Sequence, residues 1–299
     1  MFMLFIEVVF PVVLVFLIGY IVQLWKRVSL APVSVITIYI LIPALVLVTL
    51  YETEITIDYA YLILYAFLFL FIMILITKVF SRLMKKDQDT ESGLILSTAF
   101  MNAGNYGAPI ILFAFGEAGF AYAVVFMVVQ TIIMTTFGVY YAAKGGTGVR
   151  TALKTVMMMP ATYSLLLVFI IKIGQLEIPE PLYNPLELIS QAAIPLTMLL
   201  LGMQLAEIRL KKIEWSNIYF SITLRLFISP LIAWGLTSLM PISTMMQTVL
   251  IIASSMPTAA TTTIYAIQFE TRPHLVSTIT LVTTVMSVLT ITILLSILI

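Results

Sequence analysis

Cysteine is absent from this 299-residue chain, and histidine occurs once, as His274. No disulfide framework, thiolate metal site or cysteine nucleophile can be built, and a single imidazole excludes a histidine-rich metal cluster. Charge is scarce too: 10% of residues are Asp, Glu, Lys or Arg, against about 25% in a soluble domain. The formal net charge of +1 leaves no footprint for nucleic acid. No nucleophile–base pair and no phosphate loop is visible. The GGTG stretch at 145–148 lacks the lysine of a Walker loop and reads as a turn. The sequence therefore predicts no enzyme, no cofactor and no metal site. What it has instead is apolar surface, 62% of residues, too much for one water-soluble core.

A helix needs roughly 20 mostly apolar residues to cross a bilayer. Spans are predicted at 3–24, 31–51, 59–80, 93–115, 118–143, 156–174, 186–206, 216–239, 244–268 and 275–298. The first is apolar apart from Glu7, Tyr20 and Gln23, and Lys26 and Arg27 follow it. That order is the reverse of a cleaved signal, so the segment reads as a retained span. Assigning the connecting loops alternately to two sides puts Lys26, Arg27, Lys78, Arg82, Lys85, Lys86, Lys144, Arg150, Lys154, Arg209, Lys211, Lys212 and Arg272 together. Lys172 stands alone on the other side, and Arg225 lies within span 8. The positive-inside rule then predicts a multi-pass cell-membrane protein with cytoplasmic basic loops and both termini outside.

The two halves resemble each other. Span 2 carries Ile42-Pro43 and span 7 carries Ile194-Pro195; span 4 contains NAGNYGAPI at 102–110 and span 9 SSMPTAATTT at 254–263. One offset of about 150 residues relates both pairs. Residues 1–143 and 150–299 thus read as two five-span repeats, and an odd repeat re-enters the membrane inverted. The bland alternative is that proline and glycine are common in membrane helices. Proline lacks an N–H and clashes with the preceding turn, so Pro109 frees the carbonyl of Asn105, and Pro257 that of Ala253. Each of these spans reads as two half-helices, the second starting near Pro109 or Pro257. Gly104 and Gly107 allow unwound backbone. Two helix N-termini meeting near the midplane would attract an anion without a cationic side chain. Asn102, Asn105, Ser255, Thr258, Thr261 and Thr262 add hydrogen-bonding groups to this predicted substrate site.

Other buried polar residues differ from one another in their readings. Arg225 either contacts substrate or caps carbonyls freed by a break. Gln130 either lines the site or joins helices. Gln191 and Gln204 read as helix–helix contacts, Gln268 and Glu270 as a solvated helix end with a cation site as the alternative, and Glu7 and Glu117 as headgroup or water contacts. The seventeen methionines read as packing. Spans 4, 5, 9 and 10 hold no mid-membrane Asp or Glu. A paired-aspartate proton antiporter is therefore not expected, although carbonyls and hydroxyls can bind Na⁺.

The stretches NAGNYGAPI with FGEAG at 115–119, LRLFISPL at 224–231 and MPTAATTTIYA at 256–266 resemble the auxin efflux carrier, or PIN-like, family. One departure is the threonine run Thr261–Thr263, where relatives commonly have asparagine. The resemblance implies an all-α polytopic fold of ten transmembrane helices shared with bile-acid sodium symporters and sodium–proton antiporters. Spans 1, 2, 6 and 7 would form a scaffold. Spans 3–5 and 8–10 would form a transport domain with spans 4 and 9 broken and crossing. It further implies a small organic anion as substrate and a homodimer in the lipid bilayer. The predicted function is a secondary transporter, an efflux carrier working by elevator-like alternating access. The alternatives are a Na⁺- or H⁺-coupled symporter on the same fold and a membrane sensor that transports nothing.

Overall fold

A computed structural model of the protein describes residues 1–54, 56–143, 160–208 and 214–299. In chain order its helices are α1 (Phe2–Lys26), α2 (Leu30–Glu52), α3 (Asp58–Leu83), α4 (Gln88–Thr98), α5 (Ala103–Ala142), α6 (Pro160–Ile173), α7 (Glu180–Ala206), α8 (Trp215–Ser238), α9 (Thr244–Ser254), α10 (Ala260–Gln268) and α11 (Pro273–Leu298). Among the described residues there is no strand. Seven of the helices are long and apolar enough to cross a membrane, and α6 and α9 are shorter apolar helices. The expected spans 4 and 5 fall on α4 and the 40-residue α5, whose backbone leaves helical geometry at Gly116 (φ 61°, ψ −161°). That left-handed φ is open to glycine at no steric cost, and it divides α5 into arms 103–115 and 117–142. Residues 156–159 of the expected span 6, the GGTG stretch, Lys144, Arg150, Lys154, Arg209, Lys211 and Lys212 lie outside the described residues.

The apolar surface is on the outside as well as the inside. Along α3, Leu62, Tyr65, Phe69 and Met73 are buried, while Leu64, Phe71, Leu75 and Val79 are exposed. A long helix with one packed face and an apolar outer face would aggregate in water; in hydrocarbon that outer face costs nothing.

Proline shapes these helices without cutting them. Wide π-helical turns at Phe5–Val9, Thr37–Leu41, Ala103–Gly107 and Thr223–Ile228 each end two residues before a proline: Pro11, Pro43, Pro109 and Pro230. The ring crowds the carbonyl one turn back, and widening that turn relieves the clash while its N–H groups bond five residues back. Ile42 N–H, for example, donates to the carbonyl of Thr37.

α1 and α7 approach most closely. A Cβ built on Gly19 would lie 2.2 Å from the Leu199 carbonyl oxygen, and one on Gly202 1.9 Å from that of Phe16. Backbones can meet this closely only where neither helix carries a side chain. α2 packs against α6 and α7. Elsewhere α3 packs on α4, α5 on α9, α4 on α11, and α8 on α9.

Candidate functional site

Two helical breaks touch at the centre of the site. α4 ends at Thr98 and α5 begins at Ala103; α9 ends at Ser254 and α10 begins at Ala260. The intervening segments run antiparallel, with Met101 opposite Thr258. Asn102 N–H donates to the Pro257 carbonyl at 2.9 Å, and Ala259 N–H donates to the Phe100 carbonyl at 3.0 Å. This exchange satisfies backbone groups that no helix could reach, which is what buried irregular backbone requires. The two helices leading in match: α4 and α9 are both 11 residues long, and each has a side-chain N-cap. Asp87 accepts from Thr90 N–H at 2.8 Å, and Ser243 from Met246 N–H at 3.2 Å.

The first break lies earlier than the proline pattern suggests. Pro109 does not start the second half-helix; Ala103 does, and the residues up to Gly107 form its first, widened turn. Gly104 and Gly107 are therefore helical. Their missing side chains leave room for Met127 and Met256, 3.2 and 3.1 Å from where a Cβ would sit. Pro257 lies within the second break, three residues before α10 begins. Chain pairing sets both break positions, and proline only biases them.

A cavity of about 240 Å³ lies beside the bridge. Of the predicted site residues, Asn102, Gly104, Asn105, Gln130 and Thr261 line it. Gly107, Pro109, Arg225, Ser255, Pro257, Thr258 and Thr262 do not. The last three hydroxyls serve the backbone: Ser255 donates to Ile251, Thr258 to Ser97 and Thr262 to Ala259 carbonyls. Arg225 is fully buried and donates to the carbonyls of Thr98 (2.8 Å) and Ser254, the last residues of α4 and α9.

Three amides on the cavity wall have a buried atom without a hydrogen-bond partner: Asn102 Nδ2, Gln130 Nε2 and Gln204 Oε1. Leaving such a group unpaired costs about 1–3 kcal/mol, which a ligand of matching polarity recovers. The oxygen and nitrogen of an amide interchange on flipping, so each can serve a donor or an acceptor. The N–H groups of the first turns of α5 and α10 adjoin them, where helix ends carry partial positive charge. Among the described residues, no Asp, Glu, Lys, Arg or His lines the cavity. The rest of the wall is largely apolar, including Ile38, Ile42, Met127, Met134, Leu200 and Ile264.

The sequence reading missed Ser34 and Thr37 on α2, Thr131 and Thr135 on α5, and Gln204 on α7. Polar residues at helical spacing within apolar spans were the available signal for the first four. Gln204 carried the same signal but read as a helix–helix contact, since only the tertiary packing turns it to the cavity. A second cavity, of about 420 Å³, shares Gln204 and Ile264 with the first and reaches Glu207 and His274. Both of those side chains are exposed, so the site opens toward the ends of α7 and α11.

A family model described as "membrane transport protein" matches residues 4–295. An uncharacterized transporter of Methanothermobacter thermautotrophicus is 26% identical over 288 residues, covering 94% of both chains. An uncharacterized transporter of Methanocaldococcus jannaschii is 31% identical over 215 residues, covering 70% of this chain and 69% of its own. With the match spanning nearly the whole sequence, the chain belongs to the auxin efflux carrier (PIN-like) family of membrane transporters.

Proposed function

We propose that this transporter carries a small organic anion with one carboxylate-like head and an apolar body, by elevator-like alternating access. The observation that carries the reading is the pairing of the two breaks at the wall of a cavity with unpaired amides. Two helix N-termini and Asn102, Asn105 and Gln130 offer donors to one anionic group. The apolar remainder of the wall suits a hydrophobic body, and among the described residues no cationic side chain lines the cavity to hold a second carboxylate.

The proposed architecture is ten spans in two inverted repeats, 1–143 and 150–299. The near contact of α1 with α7 and of α2 with α6 supports a scaffold of spans 1, 2, 6 and 7. The cavity lies where α2, α6 and α7 face α5 and α10, a boundary across which a transport domain of spans 3–5 and 8–10 would slide. With the basic loops cytoplasmic and both termini outside, the second cavity leads to the cytoplasm. The proposed oligomer is a homodimer formed through the scaffold.

Efflux of an anion needs no coupled ion, because an inside-negative potential favours it by ~2.3 kcal/mol per charge per 100 mV. The test is flux of a panel of labelled carboxylates from liposomes containing the purified protein, with an imposed potential. The expected result is saturable flux of amphipathic monocarboxylates that grows with the potential. Saturable binding with no counterflow would instead mark a sensor.

A further inference from the structure

Arg225 takes no part in lining the cavity, and a fully buried charge within an apolar helix needs a reason. Two broken helices that cross leave two N-termini and two C-termini. The N-termini of α5 and α10 border the cavity. The C-termini of α4 and α9 present the carbonyls of Thr98 and Ser254, which carry partial negative charge. Arg225 joins these two carbonyls. Its Nη1 donates to Thr98 and its Nη2 to Ser254, while the Ser229 hydroxyl lies 3.3 Å from Nη2. Ser229 also donates to the Ser254 carbonyl at 3.1 Å. The Tyr65 hydroxyl lies 2.6 Å from Ser254 Oγ, and the Phe69 ring centroid is 5.7 Å from the guanidinium carbon. None of these hydrogen-bonding partners is a carboxylate, and the guanidinium Nε has no partner. The charge is therefore matched by helix ends and hydroxyls. Such carbonyl and hydroxyl oxygens are also the ligands a hard metal cation takes.

We propose that Arg225 is a tethered cation, filling in place of a metal ion the oxygen-lined junction of the two helix C-termini, so that the anion moves with no co-transported metal cation. Arg225 is a positioning residue: it holds α4 to α9 and thereby sets the bridge that aims Asn102. The proposal rests on the carrier reading only for its transport arm.

The test compares the wild-type protein with Arg225→Lys, Arg225→Met and Arg225→Ala, by thermal melting in detergent and by liposome flux. Each is run in sodium chloride and in choline chloride, and Arg225→Ala also with millimolar guanidinium. Wild type should melt at the same temperature in both salts. Arg225→Ala should melt lower and be raised saturably by guanidinium, which leaves the wild type unmoved. Lys should retain more stability than Met, and flux of the Met variant should fall about 10- to 100-fold, the loss expected for charge-assisted hydrogen bonds. Met and Ala variants that fail to fold while Lys folds support the same conclusion. Saturable stabilisation of the wild type by Na⁺, or flux that requires Na⁺, overturns the absence of a coupled cation. Equal behaviour of Lys and Met, including failure of both to fold, overturns the tethered charge, as does a folded Ala variant indifferent to guanidinium. Melting as expected with no flux of any carboxylate leaves Arg225 as assigned and removes the carrier reading instead.

Discussion

Asn102 has a backbone role and a side-chain role that can be separated. Its N–H and carbonyl hold the break in place, through Pro257 and the N–H of Gly107. Its side-chain Nδ2 is buried on the cavity wall without a partner. Asn102→Ala keeps every backbone bond, so the melting temperature should change little. Substrate affinity should fall about 10- to 100-fold if the amide bonds a carboxylate. Asn105→Ala should act in the same direction. Transport kinetics unchanged in both variants would remove these residues from the site. Asp87 illustrates a different residue-scale effect, at the entrance of α4. The Thr90 hydroxyl and amide, followed by the charges of Arg272 and Lys86, hold its carboxyl below the ordinary carboxylate range. A lowered folded-state pKa contributes stability above the unfolded value, and that contribution is lost as pH falls through the folded value. Asp87→Ala should cost about 0.5–2 kcal/mol as a lost N-cap. It should also flatten the acid limb of the melting-temperature profile, which Asp87→Asn, still able to cap, would flatten without that cost.

At the scale of helices, close approach decides which glycines matter. Gly202 sits against the Phe16 carbonyl, so Gly202→Ala forces α1 and α7 apart and should cost about 1–3 kcal/mol or more. Gly235 on α8 has no atom within 4 Å of an added Cβ. Gly235→Ala should therefore be neutral or stabilising by about 0.5–1 kcal/mol, through helix propensity alone. Melting temperatures of the two variants in one detergent check both statements. The same scale shows why prolines were only partly informative. The sequence pattern located the second break, since Pro257 lies inside it, but put the first too late, since Pro109 follows the last residue of that break, Asn102, by seven residues. It did not distinguish a break from a widened turn, because proline demands relief of a clash and either solution supplies it.

For the whole molecule, the proposed orientation has a direct test, because the natural chain lacks cysteine. Lys172→Cys should react with an impermeant thiol reagent added outside intact cells, and Lys85→Cys only after permeabilisation. The opposite pattern would invert the molecule and turn the second cavity outward. Voltage acts on the same scale: with a monoanionic substrate, a potential of about 100 mV should support roughly a 50-fold gradient at equilibrium. The Arg272–Glu214 ion pair, at 2.7 Å, ties the start of α11 to the entrance of α8 at a half-buried position still open to solvent. Such pairs contribute about 0–1 kcal/mol, so it would brace this end of the molecule only weakly.

The membrane-protein class, the family and the interrupted helices were legible in the residue order. Long apolar runs, charge clustering and proline–glycine placement are local properties that need no partner to be read. Asn102, Asn105 and Thr261 were legible for the same reason, as polar residues in or near segments that could not remain regular, and Gln130 as a polar residue within an apolar span. Three things depended on tertiary structure. Packing alone turned Gln204 into the cavity. It placed Arg225 on the ends of α4 and α9, away from the cavity. It also brought two breaks, about 150 residues apart in sequence, into one antiparallel bridge. Each of these is a contact between distant segments, and a linear pattern of polarity carries no term for which segments will meet.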